Sequence, residues 1–336
     1  MKSLFLSPQP IDERHGGGAV MLALLRKEHA AGTSEVIEIH RGQPSSRATR
    51  HFRSIGLLKL ALLQLALPVL PFDFFSRFSI GLLRYLRSLG RQKVVFNYNQ
   101  LLIYPLLARE LISEIVVHDV MHDMWRSHAG LRRPFWRLVR FWERRFVCWL
   151  PANSTLVFLS EKDRDMLARG VRCQTRVIDL PALLASSTAQ RRTPERQTLM
   201  LAPGVRVGLL GAWNRPENSS GAQAFLGALE PDVRNGLLIR VAGPGSEHLP
   251  DGPSIEKLGF VDDLGDFFDG IDVFVAPLNY GAGVKIKVLN ALEYGVPLFL
   301  TEKAVEGIEL PTGYPFFVAT DCRQLAEHFN HAYARS

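Results

Sequence analysis

At 336 residues the chain exceeds what one hydrophobic core ordinarily holds, so two domains are expected. Its composition, 47% hydrophobic and 22% charged, is that of a globular protein and excludes a disordered or fibrous one. The net charge of +7 is unevenly spread: residues 1–180 carry 27 Lys and Arg against 15 Asp and Glu, and residues 181–336 carry 13 against 18. The two halves therefore face different partners. The basic half mixes Arg with Trp, Phe and Leu and has no Lys-rich polar arm, which favours an anionic membrane surface over nucleic acid. The cysteines Cys148, Cys173 and Cys322 are odd in number and have no Cys or His at ligand spacing, so a reducing compartment and no zinc site are expected.

In chain order, a strand at 3–7 leads through a polar turn and the glycines Gly16, Gly17 and Gly18 into an apolar helix over 19–32. A strand at 34–40 completes a βαβ unit with a glycine-rich connection. Residues 1–8 do not read as a secretory signal. Residues 41–54 read as a loop, and 55–90 are helical in composition. Within them the apolar run 55–72 is interrupted by Lys59, Gln64, Pro68 and Pro71, which fits a buried or membrane-lying helix better than a span. A strand at 93–99, a helix at 101–111 and a strand at 114–119 follow, the last ending in His118 and Asp119, where open α/β sheets place their ligands. Residues 135–150 read as a helix with Arg and aromatic residues alternating by face. Strands at 154–160 and 176–180 flank a helix at 161–170.

Residues 184–204 lose periodicity and gain Ser, Thr, Arg and Pro, the signature of a linker. The rhythm then restarts with a strand at 205–211, a helix around 221–230, strands at 236–245, 254–261 and 272–278, and a helix at 263–270. Alternating β and α elements imply a doubly wound parallel sheet in each half. The expected division is a domain at 1–183, a linker at 184–204 and a domain at 205–336, with the last helix free to pack back on the first domain.

The segment APLNYGAGVKIKVLNALEYGVP, 276–297, ends a strand at Pro277, frees the backbone at Gly281 and Gly283, and starts a helix with Lys285 and Lys287 in its first turns. Two readings fit this local pattern. Exposed amides and lysines would hold a diphosphate and stabilise the charge that develops on it. Alternatively the glycines only turn the chain and the lysines face solvent.

GAGVKIKVLNALEYGVP followed by EGI, preceded by GFVDDLGDFFDGIDVFVAP and GLLGAWNRPENSSGAQAFL, resembles the donor-binding domain of the GT-B glycosyltransferases, in particular the family 4 group of polysaccharide and lipopolysaccharide assembly. These motifs span most of 205–310 in the family's order. The resemblance implies an α/β chain of two Rossmann-like, doubly wound domains facing each other across a cleft. It implies a nucleotide-sugar donor with no further cofactor. Gly259, Phe260 and Val261 would lie beside the base, while Gly281, Gly283, Lys285, Lys287 and Arg215 would hold the diphosphate. Family members commonly carry two glutamates eight positions apart around this turn, and Ala282 and Asn290 stand there instead. Asn290 keeps an amide that can bond a ribose hydroxyl, whereas Glu293 reads more simply as a surface or packing residue on the same helix face.

Gly16 to Gly18, VVHDVMHDMWR and FLSEKD resemble the acceptor-binding half of the same enzymes. The resemblance implies that Gly16, Gly17 and Gly18 close on the donor phosphates and that His118 contributes to the reaction. An imidazole at a strand end can donate to a sugar hydroxyl or stabilise charge, and it can equally be a satisfied core histidine. Asp119 is the first candidate for a general base, ahead of Asp123, but Asp119 can also cap the turn and Asp123 can pair with Arg126.

The expected activity is metal-independent transfer of a hexosyl group to a lipid-linked or glycan acceptor by a cytoplasmic protein, peripheral on the inner face of the plasma membrane. The runs 55–72 and 131–149 are the candidate membrane-facing segments. Three other classes share parts of the pattern: a silent sugar-nucleotide or glycan-binding module, a sugar-nucleotide epimerase, and a dinucleotide-dependent dehydrogenase. The last is disfavoured because ERHGGGAV lacks G-x-G-x-x-G spacing.

Overall fold

The computed structural model describes residues 3–11, 18–30, 32–56, 59, 61, 62, 65, 72–127, 135–184 and 201–333. The chain divides into two units, Met1–Leu184 and Ala185–Ser336. The expected linker at 184–204 lies almost wholly outside the described residues.

The first unit is a parallel sheet of β1 (Ser3–Ser7), β2 (Thr33–Ile39), β3 (Arg50–Phe52), β4 (Lys93–Asn97), β5 (Ile112–Val117), β6 (Ser154–Phe158) and β7 (Gln174–Val177), in the order β3-β2-β1-β4-β5-β6-β7. Strand residues alternate between the faces. Leu4, Leu6, Val94, Phe96, Ile115, Val117, Leu156 and Phe158 share one core cluster. The intervening Phe5, Val95, Val116 and Val157 are also buried, as expected of a parallel sheet covered on both faces. The helices are α1 (Gly18–Ala30), α2 (Ile80–Ser88), α3 (Ile103–Leu107), α4 (Met121–Ser127), α5 (Trp136–Cys148), α6 (Glu161–Leu167) and α7 (Leu180–Leu184).

Two sequence expectations are corrected here. Residues 41–54 are not all loop: β3 pairs with β2 through Ile37↔Arg50, and three residues are too few to show a period. The helix expected at 101–111 shrinks to a 3-10 turn and the five residues of α3, whose Pro105 fits only a first turn and which ends at Ala108. Of the described large apolar side chains in 55–72, Ile55 is half-buried and Leu62 and Leu65 are exposed. Among the described residues no helix is long and apolar enough to cross a membrane.

The second unit is a parallel sheet of β8 (Arg206–Leu210), β9 (Leu238–Ala242), β10 (Ile255–Gly259), β11 (Val273–Ala276), β12 (Leu298–Thr301) and β13 (Phe316–Ala319), ordered β10-β9-β8-β11-β12-β13. Its helices are α8 (Pro216–Ala228), α9 (Pro231–Gly236), α10 (Leu264–Asp269), α11 (Ile286–Glu293), α12 (Glu302–Val305) and α13 (Cys322–Tyr333). Val273 and Val275 enter the cluster with Phe225 and Phe329, while Phe274 and Ala276 enter the opposite one with Phe267, Val288 and Ala291. Helices thus cover both faces, which is the doubly wound arrangement. The last helix, α13, is part of this unit: Leu325, Ala326 and Phe329 are fully buried, and Phe329 packs edge-on against Phe225 at 5.1 Å. Its apolar stripe packs on its own sheet.

In each sheet the strand order reverses beside the first strand, between β1 and β4 and between β8 and β11. Ligands of open α/β sheets bind outside the carboxyl ends of the strands at such points.

Candidate active site

At the carboxyl end of the second sheet, three strand exits are drawn together by glycines. Gly211 N donates to Ala242 O at 3.1 Å, Trp213 N to Pro244 O at 2.7 Å, and Gly243 N to Gly259 O at 2.5 Å. Gly243 has φ 111°, and a Cβ there would stand 2.0 Å from Gly211 O. Gly243→Ala is therefore expected to lose about 1–3 kcal/mol from conformational strain alone, read as a lower melting temperature. Unchanged stability would show that these exits do not depend on close approach.

The helix α8 is pressed onto the exit of β11, since a Cβ on Gly221 would lie 1.9 Å from Pro277 O. This contact brings the first turn of α8 to the loop before α11. Ser220 Oγ donates to Tyr280 Oη at 3.2 Å, and an added Cβ on Gly281 would sit 3.9 Å from Glu217 Cβ. Gly281 (φ 124°) and Gly283 (φ 70°) adopt backbone angles that side chains resist. From α11, Lys287 crosses to the same place. Its Nζ donates to Asn218 Oδ1 at 2.9 Å, lies 5.9 Å from the Trp213 ring centre, and is 3.5 Å from where a Gly211 Cβ would be.

Lys287 is half-buried, and burial, then the charges of Lys285 and Arg215, pull its pKa down to about 7, with Glu217 opposing. The cation is held against the amide end of a 13-residue helix, itself the positive pole. Such an arrangement favours an anion.

The structure brings together Lys287, Lys285, Gly281, Gly283 and Arg215 around this turn. Lys285 is the N-cap of α11 and not part of its first turn; its Nζ donates to Ala282 O and Gly283 O at 2.8 and 2.6 Å. Arg215, exposed at the N-cap of α8, pairs with Glu217 at 2.5 Å. Gly259 joins through Gly243, Phe260 is exposed at 41%, and Val261 is half-buried. Asn290 is half-buried on α11, three residues beyond Lys287. Sequence reasoning assigned no role to Gly211, Trp213, Glu217 or Asn218. Their signal lay in the quoted GLLGAWNRPENSSG, a strand exit running into a helix start.

At the first sheet, Gly18 is buried at the start of α1, and Gly16 and Gly17 lie outside the described residues. His118 is buried, its Nε2 donates to Asn97 Oδ1 at 2.7 Å, and burial pushes its pKa down to about 3. It is a neutral imidazole at physiological pH. Asp119 is half-buried beside it, and its carbonyl accepts from Asn99 Nδ2 at 2.9 Å. Asp123 is fully buried and bonded to Arg126 at 2.7 Å and Lys162 at 2.9 Å, as an ion-paired carboxylate. Burial pushes Asp163 up to about 6, against the bond from Ser160.

A residue the sequence did not single out organises this end of the sheet. Glu143 is wholly buried and accepts from Met121 N at 2.9 Å, His122 N at 3.1 Å and Asn99 Nδ2 at 3.1 Å, while pairing with His122 Nδ1 at 2.7 Å. Its signal was its place between Val139 and Phe146 on the apolar stripe of α5.

Residues 204–335 match the family model of glycosyl transferases group 1. No curated protein matches the chain. Among solved structures, Anabaena HepE in complex with UDP and glucose superposes with a TM-score of 0.63 at 13% identity, covering 98% of this chain and 89% of that one. WaaG, a glycosyltransferase involved in lipopolysaccharide biosynthesis, gives 0.61 at 13%, covering 98% and 90%. Sucrose-phosphate synthase from Thermosynechococcus elongatus gives 0.63 at 14%, covering 99% and 94%. The two parallel-sheet units have the GT-B fold. The family match lies within the second unit, and the likeness to the solved glycosyltransferases extends over both units as a likeness of fold.

Proposed function

We propose that the chain moves a hexosyl group from a nucleotide-sugar donor to a lipid-linked or polysaccharide acceptor, in exopolysaccharide or lipopolysaccharide assembly. The observation that carries this reading is Lys287, a cation held among other cations and the amide end of α8 at the switch point of the second sheet. A diphosphate relieves that repulsion, and more so as the bond to the sugar breaks and charge gathers on the leaving oxygen. The anomeric carbon bonds to the acceptor oxygen, the diphosphate departs with the electron pair, and Asp119 takes the hydroxyl proton. His118, with its proton on Nε2, accepts a hydrogen bond from a substrate hydroxyl through Nδ1. Asn290 binds the ribose, Gly259 to Val261 flank the base, and Gly16 to Gly18 approach the phosphates. Lysines and amides neutralise the leaving group, so transfer proceeds without a divalent metal.

HepE has been solved with UDP-glucose as well as with UDP, which supports a uridine donor as the first to test. Membrane association is part of the proposal. On α5 and its flanks Phe135, Phe141 and Trp149 are exposed beside Arg137, Arg140 and Arg145, the mixture that meets an anionic headgroup layer. This chemistry fits a cytoplasmic protein peripheral on the inner face of the plasma membrane.

A second reading, a silent nucleotide-sugar binder, is favoured by Ala282 and Asn290 standing where the family's glutamates would be. Melting curves with nucleosides, nucleoside diphosphates and their sugars test both. A diphosphate at 100 times its Kd stabilises by about 2.7 kcal/mol, and the bare nucleoside by far less. Donor turnover that needs a glycan or lipid-linked acceptor and persists in EDTA supports transfer. Binding with no turnover across the acceptor panel supports the silent binder, and no shift with any diphosphate rejects both.

A further inference from the structure

The switch point of the first sheet holds a backbone outlier. Among the described residues Tyr98 is the one non-glycine residue with positive φ, at φ 100° and ψ 135°. Side chains rarely adopt such angles, and they persist only where surrounding contacts hold them. Ordinary strand angles at this position would extend β4. The left-handed turn ends the strand instead and lays the ring against its neighbour.

The holding contacts come from the exits of the two strands beside β4, those of β1 and β5. Tyr98 N donates to Val116 O on β5 at 3.1 Å, and Gln9 Nε2, just beyond β1, donates to Tyr98 Oη at 3.1 Å. The Tyr98 ring stacks on the His118 imidazole with centroids 3.8 Å apart and planes 14° from parallel. On the other side of the chain, buried Asn97 accepts from His118 Nε2 through Oδ1, and its Nδ2 finds no partner among the described residues. The amide orientation is therefore set through His118 rather than by a second bond. An imidazole with one hydrogen bond and an amide free to turn would exchange between two arrangements, with the ring proton on Nε2 or on Nδ1. The stacked ring holds the imidazole plane that keeps Nε2 on Asn97 Oδ1.

We propose that Tyr98 is a positioning residue for His118: its strained backbone presses the phenol against the imidazole, fixing the ring plane and keeping the Nδ1 lone pair as a hydrogen-bond acceptor for a substrate hydroxyl. The proposal rests on the reading of His118 as a substrate-facing group. It explains why a tyrosine occupies a conformation suited to glycine. The strain is retained because the ring it carries is needed there.

The test compares Tyr98→Gly, Tyr98→Ala and Tyr98→Phe in the full chain, with histidine ring nitrogens labelled by 15N and His118 assigned from the spectrum of His118→Gln. Tyr98→Gly and Tyr98→Ala lose the same ring, but only glycine accepts φ 100°, so the glycine variant is expected to melt above the alanine one. In both, the His118 nitrogens are expected to move from the pattern of one tautomer to an averaged one, and Tyr98→Phe is expected to restore the parent pattern. Unchanged His118 signals in Tyr98→Gly overturn the proposal, as does Tyr98→Phe failing to restore them. The role of His118 in turnover fails separately: full activity in His118→Gln would end that reading while leaving the ring spectra of the Tyr98 variants interpretable.

Discussion

Lys287→Met is expected to weaken nucleoside diphosphate binding about 10- to 100-fold, the loss of one charge-assisted hydrogen bond worth about 1.5–3 kcal/mol. Methionine keeps the aliphatic stem near Trp213 and removes only the ammonium, so lost packing does not account for the result. The pH dependence is sharper still. In the free protein burial and the neighbouring Lys285 and Arg215 hold Lys287 near pKa 7. A bound anion favours the protonated form and raises that value, so binding takes up a proton and affinity falls as pH rises through 7 toward the higher bound pKa. Calorimetric titration of UDP from pH 6 to 9 reads this, with Lys287→Arg as the comparison, because a guanidinium stays charged and flattens the profile. A parent affinity that does not fall above pH 7, or a Lys287→Met variant that binds UDP like the parent, defeats the assignment.

The same shift makes a stability statement with the opposite sign. The folded pKa lies below the ordinary lysine value of 10.5, so the folded protein binds this proton less well than the unfolded chain does. The penalty is complete below about pH 7 and disappears as pH rises toward 10.5. Lys287→Met should therefore melt above the parent at pH 6 by a margin that shrinks toward pH 10. A residue that weakens the free fold while tightening its ligand is one held for function rather than for packing.

What could be read from sequence followed the length of the signal. Buried strands such as 273–276 are runs of apolar residues between turns, and their alternation with helices sufficed for two doubly wound sheets. The glycine and lysine turn at 281–287 was legible because its elements are contiguous. Asn218 and Lys287 are 69 positions apart, and only the approach of α8 to β11 through Gly221 joins them. Tyr98 gives no local signal, since its strain arises from Gln9 beyond β1 and from Val116 and His118 at the end of β5. Glu143 was obscured by its neighbours: in an arginine-rich helix one glutamate resembles surface charge, and only its register with Val139 and Phe146 says otherwise. The neutral state of His118 was likewise unavailable, because burial is a property of the packed sheet.

Glu143→Ala is expected to cost about 3 kcal/mol or more of stability, since each buried donor left without an acceptor costs about 1–3 kcal/mol. Two backbone amides, the Asn99 amide and the His122 ring all lose their acceptor in a place where water does not replace it. Glu143→Gln keeps one acceptor oxygen but turns an NH2 toward groups that mostly donate, so it should fall between the parent and alanine. Guanidinium unfolding followed at the first unit measures both, and a loss under about 1 kcal/mol for alanine would mean that these bonds are readily exchanged for solvent. The consequence extends to chemistry because Asn99, held by Glu143, also bonds the carbonyl of Asp119, and Met121 begins the helix directly after the His118–Asp119 turn. Loosening the carboxylate frees that turn. Lys287 and the turn around it, in contrast, belong to the second unit, so Glu143→Gln should bind UDP with a Kd within about twofold of the parent while turnover falls roughly 10- to 100-fold, as expected when a reacting group is displaced by about an ångström. Equal losses in binding and turnover would instead trace the defect to general unfolding.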